Sequence, residues 1–216
     1  MNQKRRKLLL AMSGLVASPS LALSKPLDGT PSQMAGPFYP AELPLDDDND
    51  LTVVGDSNVQ AKGQITDLTG KVVDNNGKAL SNLRIEIWQC DFNGRYRHPN
   101  ENGINPIDPN FQGHGHTMTN TSGRYRFRTI KPVAYPGRTP HIHVAVFPEG
   151  DRPFVTQLYV KDEPANQTDF LLNHIPEDRR HLVLADFIPS EEKSAAYNAS
   201  FDIILNRDNG TPLDVS

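Results

Sequence analysis

Four side chains of this 216-residue chain have the types and the spacing to hold one metal ion. His141 and His143 lie in Pro-His-Ile-His-Val-Ala-Val-Phe, which reads as a strand. Side chains alternate faces along a strand, so both imidazoles point the same way. Ile142, Val144 and Val146 interleave with them, while Ala145 and Phe147 continue the histidine face. Tyr135 comes six residues before His141, beyond a Pro-Gly turn that folds the chain back. Tyr96 sits in a similar polar stretch, Asp91-Phe-Asn-Gly-Arg-Tyr-Arg-His98. Two phenolates and two imidazoles are a hard, anionic set. They offset much of a 3+ charge and suit Fe(III), whereas zinc sites draw on Cys, His and carboxylate.

Each of these residues has a plainer reading when taken singly. A His-x-His pair is more often structural than metal-binding, and each tyrosine alone reads as packing or surface. His114 and His116, in Gly-His-Gly-His, are the competing ligands: they too are spaced by two, but their glycines read as loop. His98, His174 and His181 read as surface residues, and Cys90 as a small buried apolar group.

The elements that would carry these residues read as short strands. Leu68 to Val73 and Leu83 to Trp88 flank the turn Asp74-Asn-Asn-Gly77. In the second, Leu83, Ile85 and Ile87 alternate with Arg84, Glu86 and Trp88. In Gly123 to Arg128, Tyr125 and Phe127 face one side and the arginines the other, after the turn Asn120-Thr-Ser-Gly123. Further strands are expected at His141 to Phe147, Phe154 to Val160, His181 to Phe187 and Phe201 to Leu205, with a short helix or turn at Thr168 to His174. Asn93 to Thr117 reads as a long functional loop. Strands at this density predict an all-β sandwich with long loops and few short helices.

Composition agrees. Hydrophobic content is 37 %, with 18 prolines and 15 glycines, which suits a loop-rich β protein. Net charge is −4. Residues 1–24 read as a signal peptide: Lys4-Arg-Arg-Lys7, the apolar Leu8 to Val16, and small residues at Ala22-Leu-Ser24 before a cut near Lys25. The Arg-Arg pair resembles a twin-arginine signal, so the expectation is an exported protein, periplasmic or secreted. Without that leader 18 basic residues face 26 acidic ones, which leaves no basic patch for nucleic acid. No later apolar run is long enough for a membrane span. Residues 25–55 read as an extended Pro-rich, acidic arm whose run at Asp46 to Asp50 is solvated. Its apolar Gly36-Pro-Phe-Tyr-Pro40 is expected to dock on the body of the chain, a single domain over residues 56–216.

The segment from Gly70 to Tyr159 resembles the catalytic domain of intradiol ring-cleavage dioxygenases, most closely the β-chain type of protocatechuate 3,4-dioxygenase. Val-Val-Asp-Asn-Asn-Gly-Lys (72–78), Glu-Ile-Trp-Gln (86–89), Asn-Gly-Arg-Tyr-Arg-His (93–98) and Asp-Pro-Asn-Phe-Gln-Gly (108–113) carry the likeness. So do Arg-Thr-Ile-Lys-Pro (128–132), Pro-His-Ile-His (140–143) and Thr-Gln-Leu-Tyr (156–159). The resemblance implies that Tyr96, Tyr135, His141 and His143 are Fe(III) ligands, with Tyr135 and His141 axial. It implies that Arg138 lies beside the substrate, with Gln157 nearby and Trp88 as an aromatic wall. The implied reaction uses O2 to open a catechol-type ring between its two hydroxylated carbons, giving a cis,cis-muconate-type diacid. Tyr135, displaced by substrate, takes one of the catechol protons. The sequence departs from the pattern at Gly137, where relatives often have Trp, and at Cys90.

Two other classes compete. One is a non-catalytic transthyretin-like or Ig-like secreted binding module with a decayed metal site. The other is a zinc hydrolase, for which no His-Glu-x-x-His pattern is present. Arg95, Arg97 and Arg138 are the cations available to a substrate carboxylate. A homo-oligomer is an open expectation.

Overall fold

The computed structural model describes residues 25–44 and 46–206, so the expected signal peptide lies outside the described residues. The fold is a sandwich of two five-stranded sheets with few short helices. In the first sheet β1 (Ile65–Asp74) is central. Along one edge it pairs antiparallel with β4 (Arg124–Ile130). Along the other it pairs parallel with β9 (Tyr197–Ser200) and then β10 (Ile203–Leu205), and β8 (Phe187–Pro189) extends the sheet beyond β9. The second sheet runs β3 (His114–Met118), β2 (Arg84–Trp88), β5 (His141–Phe147), β6 (Phe154–Val160) and β7 (Leu184–Ala185).

Alternation sets which side of each strand is dry. Ile85 and Ile87 of β2, Ile142, Val144 and Val146 of β5 and Leu158 of β6 pack in one cluster with Leu68, Val72, Tyr125 and Phe127 of the first sheet. The arginines of β4 face outward, where Arg126 and Arg128 both bond Asp67. The interleaving residues of β2, β5 and β6 therefore emerge on the outer face of the second sheet, and it is there that the candidate ligands stand.

Three expectations change. His114–Met118 is a strand, paired along its length to β2, where a loop was expected. His181 to Phe187 is mostly a 3₁₀ helix, Glu177–Val183, followed by the two-residue β7. Its Val183 packs under Tyr159 with Leu172 and Ile175, a small cluster that a strand crossing there would not fill. The acidic run is not free in solvent. Asp47 pairs with Arg84 and His116, Asp50 bridges Arg128, and Leu51 is fully buried. Gly115 permits this approach, because a Cβ there would lie 2.2 Å from the Asp48 carbonyl oxygen. The Asp74–Gly77 turn forms, but after a short return the chain crosses to the other sheet, so β1 and β2 are not paired. The short helix α1 (Phe170–His174) falls within the expected span.

Candidate metal centre

Register explains why the ligand candidates meet. His143 pairs with Trp88 on β2 and with Gln157 on β6, and Trp88 pairs in turn with His114 on β3. Residues directly opposite in antiparallel strands share a face, so His114, Trp88, His143 and Gln157 form a row across the outer face. His141 is opposite Tyr159 one step along. The two tyrosines come from outside the sheet: Tyr96 from the loop after β2, and Tyr135 from the turn it closes with Arg138, whose N–H donates to the Tyr135 carbonyl at 2.9 Å.

The four rings converge. Centroids lie 5.5 Å apart for Tyr96 and Tyr135, 5.5 Å for Tyr135 and His141, 4.8 Å for His141 and His143, and 6.2 Å for Tyr96 and His143. His141 Nδ1–H donates to the Thr139 carbonyl at 2.6 Å, which leaves Nε2 as the lone pair. That Nε2 lies 3.3 Å from His143 Nε2. Two nitrogens bound cis to one metal at about 2.1 Å stand about 3 Å apart, so the pair has the separation a shared ion requires. Among the described residues Tyr96 Oη is buried without a hydrogen-bond partner. The geometry fits a metal.

Burial pushes the His141 imidazole down to about 4, with Arg138 adding to the effect, and holds His143 well below the usual range. Both rings are thus neutral donors. Burial also raises both tyrosines, Tyr96 strongly. Their ionisation therefore needs a nearby cation of high charge. Among the described residues no three His, Cys, Asp or Glu side chains gather into a metal-binding group. Among those residues the zinc-hydrolase arrangement of His141, His143 and an acid finds no third member, and the phenols are the donors that stand beside the two imidazoles.

The N-terminal arm roofs the site. Phe38 stacks on Tyr96 at 4.7 Å and 22°. Gly36 has φ +75°, and a Cβ on it would come within 3.4 Å of His143 Cε1, so a larger residue would crowd that imidazole as well as strain the chain. The expected docking of Gly36 to Pro40 thus serves the site directly. Trp88 is 1 % exposed and stacks flat on His143 at 4.8 Å and 6°. It backs the His143 ring, a candidate ligand, where an aromatic wall of a substrate pocket was expected.

Arg138 sits beside this cluster in a dense network. Its Nη2 donates to Gln157 Oε1 at 2.6 Å and to Tyr159 Oη at 3.4 Å, and its Nε donates to Asp169 Oδ2 at 2.9 Å. Gln157 is fully buried, and its Nε2 donates to the Met34 carbonyl, so it holds Arg138 in place. Asp169 and Tyr159 complete this network, and sequence reasoning assigned neither a role. For Asp169 the available signal was its place directly before α1, where it caps Leu172 N–H.

His114 and His116 do not join the four rings. His114 Nε2 meets Glu86 at 3.3 Å, and His116 meets Asp47. Cys90 is 1 % exposed, and burial, with Asp91 adding to it, pushes its thiol up to about 12, which removes it as a nucleophile.

Comparison with known proteins bears on this site. A family described as Dioxygenase matches residues 34–207. The protocatechuate 3,4-dioxygenase beta chain of Burkholderia cepacia is 38 % identical over 188 residues, covering 82 % of this chain and 80 % of that one. A hydroxyquinol 1,2-dioxygenase of Rhodococcus opacus is 30 % identical over 184 residues, and this chain spans 58 % of its length. Among solved structures, the dioxygenase domain of a dioxygenase carbohydrate-binding protein fusion from Streptomyces sp. SirexAA-E superposes with TM-score 0.63 at 30 % identity. That match covers 83 % of this chain and 99 % of the other.

Proposed function

The chain belongs to the intradiol ring-cleavage dioxygenase family, and from that premise we propose that Tyr96, Tyr135, His141 and His143 hold the family's non-haem iron as Fe(III). It is an enzyme that opens a catechol-type ring between its two hydroxylated carbons. The observation that carries the ligand assignment is the convergence of the four rings, with two imidazole Nε2 atoms 3.3 Å apart and the Tyr96 oxygen unpartnered. A ferric ion bound there would acidify both catechol hydroxyls and make the ring reactive toward O2.

The chain's own residues divide the remaining work. Tyr96 is buried and clamped under Phe38, so it stays in place. Tyr135 is more exposed and rides on a turn, which suits it to swing out and take a proton from the incoming catechol. Arg138, fixed by Asp169 and Gln157, presents a positive edge to charge developing on the substrate. Gly36 and Phe38 of the arm keep water from the ligand side.

The substrate reading goes one step further. Arg95 is paired with Glu101, Arg97 donates to the carbonyls of Asp108, Pro109 and Phe111, and Arg138 is offset by Asp169. None of the three arginines open to a ring carboxylate is uncommitted. This favours catechols without that group, such as catechol or hydroxyquinol, over protocatechuate. A Cβ on Gly137 would meet nothing within 4 Å, so the rim beside Tyr135 has space for ring substituents. Oxygen uptake by the iron-loaded protein with catechol, hydroxyquinol and protocatechuate tests the function. Ring-opened diacid products support it, and no uptake with any of the three refutes it.

A further inference from the structure

The N-terminal arm and α1 face each other across a groove of about 590 Å³. Pro31 and Met34 wall it on the arm side, and Phe170, Leu171 and Ile175 on the other. Met34 is 56 % exposed and Phe170 63 %, so each wall presents a large apolar side chain. Small-molecule sites are hollows of about 300–1,000 Å³ lined chiefly by apolar groups, and both size and lining match here.

Both walls lead to the candidate metal centre. Met34 is two residues from Gly36, at most about 7 Å along the chain, and a Cβ on Gly36 would stand 3.4 Å from His143 Cε1 and 4.0 Å from its Nε2. The Met34 carbonyl accepts from Gln157 Nε2 at 3.2 Å. On the other wall, the Phe170 ring centroid lies 5.6 Å from the Arg138 guanidinium carbon, and Arg138 closes the turn that carries Tyr135. The 2.6 Å hydrogen bond from Arg138 to Gln157 therefore links the two walls, and a ring held beside these residues has the groove as its neighbour. Polar groups along the groove are engaged elsewhere. Gln33 Nε2 donates to Tyr159 Oη at 2.8 Å, its Oε1 accepts from the Gln157 N–H at 3.1 Å, and Arg179 Nη2 donates to the Gly29 carbonyl at 2.7 Å. What the groove mainly offers an occupant is apolar surface.

We infer that the groove receives an uncharged apolar substituent of the catechol ring, and that Met34 and Phe170 set the preference for it. The substrate class is then a catechol carrying such a group at carbon 4 or 5. This rests on the function proposed above: chelation through both hydroxyls directs carbons 4 and 5 away from the ion, so a substituent there leaves the metal side.

Oxygen uptake by the iron-loaded protein with catechol and its 4-methyl, 4-ethyl, 4-propyl and 4-butyl homologues tests it. Along this series kcat/KM should rise by up to about fourfold per added methylene, the worth of one buried CH2. In Met34→Ser and Phe170→Ala, the ratio of kcat/KM for 4-butylcatechol to that for catechol should fall by about fivefold or more. Taking the ratio within each variant cancels any general loss through the contact of Phe170 with Arg138. A merely structural role would slow both substrates alike, and an unchanged ratio in both variants overturns the inference. Uptake with catechol but a flat or falling series overturns it too, and leaves the reaction class standing. No uptake with any of the five overturns the proposed function and this inference together. A wild-type dimer that Met34→Arg converts to a monomer in sedimentation makes the groove an interface between copies, which also overturns it. If the variants fail to fold, the wild-type series decides alone.

Discussion

Asp169 Oδ2 accepts from Arg138 Nε at 2.9 Å and from the Thr139 N–H at 3.0 Å, so one carboxylate ties Arg138 to the segment that leads into the strand carrying both histidines. Its other oxygen caps α1. Burial opposes ionisation of Asp169, yet the hydrogen bonds from Arg138, Leu172 and Thr139 overcome it and hold its pKa below the usual range. A carboxyl depressed in the folded state contributes stability above its unfolded pKa of about 3.9, and that contribution is lost as pH falls through the folded value. Asp169→Asn keeps the cap but strands the arginine charge. It should cost about 3–5 kcal/mol at pH 7 in urea unfolding, and the variant should lose less additional stability than wild type below about pH 4. Equal stability at pH 7 would count against the pair.

Substrate charge gives a second prediction. With Arg95, Arg97 and Arg138 all committed, kcat/KM for protocatechuate should fall below that for catechol by at least about tenfold, the worth of one missing charged hydrogen bond. If Arg138 stabilises charge developing on the substrate as proposed, Arg138→Ala should slow all substrates by about 10²-fold or more while the iron stays bound, because none of the four proposed ligand side chains is removed. Steady-state oxygen uptake measures both. Protocatechuate turned over as well as catechol would overturn the preference without touching the reaction class.

Much of this site was legible because its strands obey a strict period. His141–Phe147 and Phe154–Val160 read to the residue, since apolar Ile142, Val144 and Val146 fill one face and leave the histidines on the other. His114–Met118 did not read as a strand. Its glycines and histidines carry no apolar alternation, and only pairing to β2 and the Glu86 network make it one. The 3₁₀ helix at Glu177–Val183 was mistaken for a strand because Leu182, Val183 and Leu184 form a short apolar run, which periodicity alone cannot assign. The place of Asp169 beside Arg138 is a tertiary fact: 31 residues separate them, and only the packing of α1 against the turn brings them together.

The competing histidines separate cleanly by iron content. His143→Ala should lose most of the iron, since its Nε2 lies 3.3 Å from that of His141. His114→Ala should keep it, because that ring bonds Glu86. Metal analysis of the purified variants checks this, and the reverse pattern would move the centre to β3.

The central claim is that two phenolates bind Fe(III), and visible absorption of the iron-loaded protein tests it most directly. Wild type should be reddish from phenolate-to-iron charge transfer. Tyr135→Phe should shift and weaken that band while Tyr96 still donates, and Tyr96→Phe should weaken it with Tyr135 still donating. Catechol added without O2 should change the colour again. A colourless iron-loaded protein, or a band unchanged in both variants, would contradict the assignment of Tyr96 and Tyr135 as ligands.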